Sequence, residues 1–114
     1  GIKNDVLFTG AINNVNEWYQ AMDVFLMPSL WEGLPITGVE AQTSGLPCVF
    51  SDTITAEIDI TKNNQFVSLN APVDKWVDAI ERCQNIERNL MGKFMADNGW
   101  DIETEIEKIR RLYF

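Results

Sequence analysis

The chain has 114 residues, 46% of them hydrophobic and 23% charged, which describes a single folded domain, 1–114, with a real core rather than a disordered segment. Nine basic against seventeen acidic side chains leave a formal charge of −8. That disfavours nucleic acid and anionic lipid as partners, since both call for clustered Lys and Arg, and the absence of histidine removes Ser-His and Cys-His nucleophiles and His-based metal sites.

In chain order, Asp5 to Gly10 (DVLFTG) is a short apolar run closed by glycine and reads as a buried strand. Asn14-Val15-Asn16-Glu17 has the pattern of a capping box, and Val15, Trp18, Tyr19 and Met22 follow at helical spacing, predicting a helix over 15–22. DVFLMPS is the next strand. Its four consecutive apolar residues, Val24 to Met27, suit a parallel strand covered on both faces, and Pro28 ends it. That run is far too short to cross a bilayer, and no secretory signal pattern opens the sequence. The chain begins Gly-Ile-Lys rather than with Met, in keeping with a piece of a longer protein.

PITGVEAQTSG is a helix with Pro35 at its entrance and Gly45 just past its end. LPCVFSD and QFVSL supply a third and a fourth strand. Pro72 then introduces a helix whose Val73, Trp76, Val77, Ile80 and Cys83 share one face. A helix near Glu87–Asn98 is expected to turn Leu90 and Phe94 inward and to end at Gly99, and the last helix carries Ile102, Ile106, Ile109 and Tyr113 on one stripe. Trp18, Trp76 and Trp100 are read as core. Cys48 and Cys83, both in apolar surroundings, are read as buried free thiols in a reducing compartment.

Strands alternating with helices imply an α/β layer structure with about four mostly parallel strands. In such sheets ligands bind beyond the carboxyl ends of the strands. The segment PSLWEGLPITGVEAQ lies there, with Glu32 and Glu40 eight positions apart around Gly33, Pro35, Thr37 and Gly38. The amides of Ile36, Thr37 and Gly38 at the helix entrance offer an anion site, and glycine allows close backbone approach. A carboxylate accepts from two neighbouring sugar hydroxyls, and Glu40 stands about 6 Å beyond Ile36 along the helix. The layout matches a nucleotide sugar: hexose, diphosphate, ribose. On spacing alone, two glutamates on solvated faces remain the plainer reading.

The stretch from VLFTG through WYQAMDVFLMPSLWEGLPITGVEAQTSGLPCVFSD resembles the C-terminal domain of retaining glycosyltransferases with the two-Rossmann-domain (GT-B) fold. The family is glycosyl transferases group 1, particularly its capsular and exopolysaccharide members. The resemblance implies a partial Rossmann-like fold, half of that domain, closed by two C-terminal helices. Glu32, Gly33 and Leu34 would then contact the donor sugar, with Ile36, Thr37 and Gly38 on the diphosphate. Glu40 would hold the ribose, and Gly10 and Ala11 would lie near the nucleobase. It implies no cofactor and no metal, the donor being a nucleotide-diphosphate sugar, and no Asp-x-Asp pair occurs. Trp31 and Glu57 are weaker candidates, the first for the pocket lining and the second as a structural residue. The basic residues that grip the diphosphate, the catalytic histidine and the acceptor domain belong to sequence absent here, so no catalytic residue is assigned to these positions. The resemblance implies that the first two strands of the family's domain are absent. In the order 3-2-1-4-5-6 they would lie in the sheet between the strand at 6–8 and the one at 24–27, and an open sheet edge would favour strand rearrangement or a homodimer. The expected location is cytoplasmic, or peripheral at the inner face of the membrane. A non-catalytic α/β interaction module and a nucleotide-sugar epimerase fragment remain the alternatives.

Overall fold

The structure is a computed structural model that describes residues 1–89 and 91–113. Three parallel strands form one sheet: β1 (Phe25–Met27), β2 (Cys48–Ser51) and β3 (Gln65–Val67), in the order β1-β2-β3. Phe25 pairs with Cys48 and Met27 with Phe50, and Val49 pairs with Gln65 and Ser51 with Val67. All four residues of β2 are buried, as expected of a central strand covered on both faces. An order that follows the chain fits the second half of a doubly wound sheet, so the α/β, partly Rossmann-like architecture stands.

Helix α1 (Val15–Ala21) and α2 (Ile36–Thr43) cover one face, and α3 (Val73–Gln84) covers the other. The alternation of β2 sorts the core accordingly. Cys48 and Phe50 join Tyr19, Ala41, Leu46, Ile54 and Ile58 on the first face, and Val49 joins Val67, Ala79 and Cys83 on the second. Tyr19, Phe25, Phe50 and Phe66 form an edge-to-face and tilted relay, with successive ring centroids 5.9, 6.4 and 5.7 Å apart. Two further helices follow, α4 (Gly92–Asp97) and α5 (Ile102–Tyr113).

The expected strand at Asp5–Gly10 is absent. Lys3–Asp5 form a 3₁₀ turn, and Val6, Leu7 and Phe8 are exposed, Phe8 at 92%. An apolar run becomes a strand only where a neighbour supplies backbone donors and acceptors, and among the described residues β1 pairs only with β2. Asn14 precedes α1, but its side chain donates to the Glu17 carboxylate at 2.8 Å instead of capping a backbone amide. On α3 the inward face is Trp76, Ala79, Ile80 and Cys83, whereas Val73 and Val77 are exposed. Among the described side chains of α4, Met95 is buried; Phe94 is 38% exposed, and Gly99 takes the left-handed conformation (φ +84°). Trp18 and Trp76 are half-buried and Trp100 is exposed, so none is fully core. Ile106 and Ile109 of α5 are exposed. Leu90 lies outside the described residues, as do the side chains of Ile102 and Tyr113. Cys48 and Cys83 are buried and free.

Candidate functional site

The loop that leaves β1 and the loop that leaves β2 meet at the carboxyl end of the sheet. The Ser29 carbonyl accepts hydrogen bonds from Ser51 Oγ at 2.5 Å and Thr53 Oγ1 at 3.0 Å. The Ser29 hydroxyl in turn donates to Glu32 Oε1 at 2.9 Å. Glu32, half-buried, is therefore fixed to the end of β1 by a residue three positions earlier. Four large apolar side chains around it, Leu30, Trp31, Leu34 and Ile36, are exposed, Trp31 at 81%. Single exposed apolar side chains are ordinary, but four within seven residues, three on the loop and Ile36 at the start of α2, are not.

Pro35 is the N-cap of α2, with an extended ψ of 110°. Its carbonyl accepts from the amides of Gly38 at 3.0 Å and Val39 at 3.3 Å. The Gly38 amide is thus already engaged, contrary to the expectation of three open amides. Among the described residues, no carbonyl accepts from Ile36 or Thr37. Both are exposed at the positive end of the helix.

The glycines divide the work differently from the sequence expectation. Gly38 is buried, and a Cβ there would meet the Phe50 ring at 3.0 Å and Ile58 Cδ1 at 3.3 Å. Its missing side chain lets α2 approach the sheet; it opens no space for a ligand on that side. Gly33 is exposed, with open space for 4 Å around the point a Cβ would occupy and no left-handed φ, so it needs no special backbone conformation. Gly10 does take a left-handed φ of +63° and, like Ala11, is exposed.

Glu40 lies one turn into α2 and is exposed. Tyr19 Oη donates to Glu40 Oε2 at 3.4 Å. Burial, followed by the Glu40 charge, raises the Tyr19 phenol above its usual range, so it remains a donor. Glu40 lines an open hollow of about 300 Å³ between α1 and α2 with Val15, Asn16, Tyr19, Thr43 and Ser44. Glu32 does not line that hollow. The two carboxylates flank the helix entrance along the chain, each tethered by a different hydroxyl.

Two residues that hold this arrangement carried no local sequence signal. Gln42 is fully buried in α2 and makes six hydrogen-bonding contacts, one with the Gly38 carbonyl of its own helix and five with Ile58, Ile60, Thr61 and Asn64. Arg88 donates to the Gln20, Met22 and Ser44 carbonyls at 2.9, 2.7 and 3.1 Å, and also to that of Tyr19. A guanidinium at the C-terminal ends of α1 and α2 satisfies orphan carbonyls and complements both dipoles. Among the described residues no group of three or more Cys, Asp or Glu could hold a metal, and no helix is long and apolar enough to cross a membrane.

Three parallel strands in chain order, with helices on both faces, define an α/β domain of partly Rossmann-like architecture. Residues 1–85 match the glycosyl transferases group 1 family, and the chain belongs to that family. It is 36% identical to EpsF of Bacillus subtilis (strain 168), over 96% of this chain and 30% of the relative. It is 34% identical to the UDP-Gal:alpha-D-GlcNAc-diphosphoundecaprenol alpha-1,3-galactosyltransferase of Escherichia coli, over 98% of this chain and 30% of that protein. With the lipopolysaccharide core biosynthesis mannosyltransferase LpsB of Rhizobium meliloti (strain 1021) it shares 40% identity, over 99% of this chain and 34% of that protein. The chain therefore spans about a third of the length of these curated relatives. No solved structure matches it.

Proposed function

We propose that these residues form the donor-binding part of a glycosyltransferase of polysaccharide biosynthesis, which takes a hexose from a nucleotide-diphosphate sugar and transfers it, with retention, to a glycan or lipid-linked acceptor. The observation that carries this reading is the helix entrance beyond β1, flanked by two tethered carboxylates: Glu32 on Ser29 and Glu40 on Tyr19. Two of the relatives' names, one a galactosyltransferase that uses UDP-Gal and one a mannosyltransferase, support a hexose such as galactose or mannose as the transferred group.

Each group has a distinct task. Glu32, Gly33 and Leu34 face the donor sugar. The amides of Ile36 and Thr37, with the Gly38 backbone beside them, meet the diphosphate and stabilise the charge that develops on it as the sugar leaves. Glu40 accepts from the ribose diol, and Gly10 and Ala11 border the nucleobase. No metal and no cofactor enter the scheme. The acceptor and the catalytic histidine belong to a partner domain of the same protein, located in the cytoplasm or on the inner membrane face. Unshielded Val6–Phe8 and the outer edge of β1 favour homodimer formation in the isolated chain, which sedimentation velocity tests directly.

The decisive experiment uses the full-length protein. Glu40→Ala is expected to weaken UDP or GDP binding about tenfold or more, because a charge-assisted pair of hydrogen bonds is lost. Glu32→Ala should lower turnover while nucleoside diphosphate affinity holds. Unchanged affinity in Glu40→Ala rules out the ribose role, and an inverted anomeric product by NMR rules out retention.

A further inference from the structure

We infer that Tyr19 is a positioning residue for nucleotide recognition, its hydroxyl orienting the Glu40 carboxylate while Arg88 anchors Tyr19 from behind. The inference rests on the reading of Glu40 as the ribose acceptor and adds the device that aims it.

Glu40 is an exposed side chain with several freely rotating bonds, and such a group gives up conformational entropy whenever it must adopt one geometry. Tyr19 supplies the constraint. It is only 4% exposed, yet its hydroxyl reaches the rim of the core and donates to Glu40 Oε2 at 3.4 Å. The ring itself is held edge-on to Phe25, with centroids 5.9 Å apart and planes at 79°. The phenol engages Oε2, which leaves Oε1 available to a diol in the hollow beside Asn16 and Thr43. One carboxylate oxygen is thus held while the other stays open.

Arg88 completes the arrangement at the C-terminal ends of the two helices. Its guanidinium bonds the Tyr19, Gln20 and Met22 carbonyls at the end of α1 and the Ser44 carbonyl at the end of α2. The helix that bears the phenol is therefore fastened to the helix that bears the carboxylate, and their separation is set before any ligand arrives. A ligand that needs an oriented carboxylate then binds a group already aimed.

The test separates positioning from mere stability by removing the diol. In the full-length protein, UDP and 2′-deoxy-UDP are titrated by calorimetry into wild type, Tyr19→Phe, Arg88→Lys and Glu40→Ala, with GDP and 2′-deoxy-GDP as a second pair. Wild type should prefer the ribonucleotide of the better pair by about tenfold. Tyr19→Phe, which keeps the ring in the core, should lose about threefold to tenfold on the ribonucleotide and less than about twofold on the deoxynucleotide. In the Glu40→Ala background the same change should have no effect, since the coupled partner is gone. Arg88→Lys should move in the same direction by less, and it decides the matter if Tyr19→Phe does not fold. Equal losses on both nucleotides, or none, in Tyr19→Phe overturn the positioning role while the ribose reading stands. A wild type that ignores the 2′-hydroxyl overturns both.

Discussion

Gln42 Oε1 accepts from Asn64 Nδ2 at 2.8 Å, joining the middle of α2 to a residue just before β3. The same oxygen faces the amides of Ile60 and Thr61, both at 3.1 Å, and Gln42 Nε2 donates to the carbonyls of Gly38 at 3.1 Å and Ile58 at 2.7 Å. Asn64 also donates to Asp59 and accepts from the Cys48 amide, so the buried Gln42 and half-buried Asn64 carboxamides together fix α2, the 58–64 loop and the start of β2. Replacing Gln42 by Leu fills the space but takes the shared acceptor from the half-buried Ile60, Thr61 and Asn64 donors and a donor from the Ile58 carbonyl, at about 1–3 kcal/mol for each group left unsatisfied. Gln42→Leu should therefore lower stability by about 3–5 kcal/mol in urea unfolding. Thr43→Ala, which removes an exposed bond to the Val39 carbonyl, should cost under about 0.5 kcal/mol.

Arg88 predicts a second, separable loss. Its donors satisfy carbonyls at the ends of two helices, and methionine matches its stem but none of its bonds. Arg88→Met should destabilise by about 2–4 kcal/mol, and Arg88→Lys by less, because an ammonium reaches only part of the carbonyl set. Hydrogen exchange should accelerate first in α1, whose C-terminal end loses its anchor, while the β2 amides remain protected. Uniform acceleration across the chain would contradict this localisation.

These two residues mark where the sequence ceased to be legible. β1, β2 and β3, α2 and α3 announce themselves through consecutive apolar residues and through Pro35, Gly45 and Pro72 at the boundaries. Glu32 and Glu40 stood out because the segment around them follows a strand and opens a helix. Gln42 and Arg88 gave no such signal: the partners of Gln42 outside its own helix lie 16–22 positions away and those of Arg88 44–69, and no local pattern encodes a bond across that distance. Two other misreadings came from applying local rules alone. Val6–Phe8 has strand-like composition but lacks a neighbour, and α3 turns on Ala79, a small residue that a search for large apolar side chains passes over.

The glycines give a ranked prediction. Alanine at Gly45 would sit 2.1 Å from the Asn89 carbonyl oxygen, at a φ of +74° that disfavours any Cβ. Alanine at Gly38 would press on Phe50 and Ile58 at 3.0–3.3 Å, an overpacking cost of about 1–3 kcal/mol reduced by up to about 1 kcal/mol of helix propensity. Gly33→Ala meets open space and should leave stability nearly unchanged. Thermal midpoints should fall in the order Gly45→Ala, Gly38→Ala, Gly33→Ala, the first losing most. In donor binding the order changes, because Gly33 lies on the proposed sugar side and Gly45 at the far end of α2; Gly33→Ala should raise KM for the donor while Tm holds.

Alkaline pH supplies the last prediction, and its sign follows from the buried acids. Burial raises the Cys48 and Cys83 thiols and, with the Glu40 charge, the Tyr19 phenol, so all three stay protonated in the folded state when the unfolded chain would release their protons. Their contribution is complete below the unfolded values, about pH 8.5 for the thiols and about pH 10 for the phenol, where neither state has lost its proton. As pH rises beyond them, the unfolded chain alone ionises and stability is lost. Each group adds a slope of at most about 1.4 kcal/mol per pH unit. Urea midpoints in reducing buffer should therefore decline above about pH 9. Cys48 is 0% exposed, so Cys48→Ala should lower the neutral-pH midpoint through the cavity it leaves, yet make the alkaline decline shallower. The slope is the informative readout: a variant with the wild-type pH dependence would mean that this thiol titrates alike in the folded and unfolded chains.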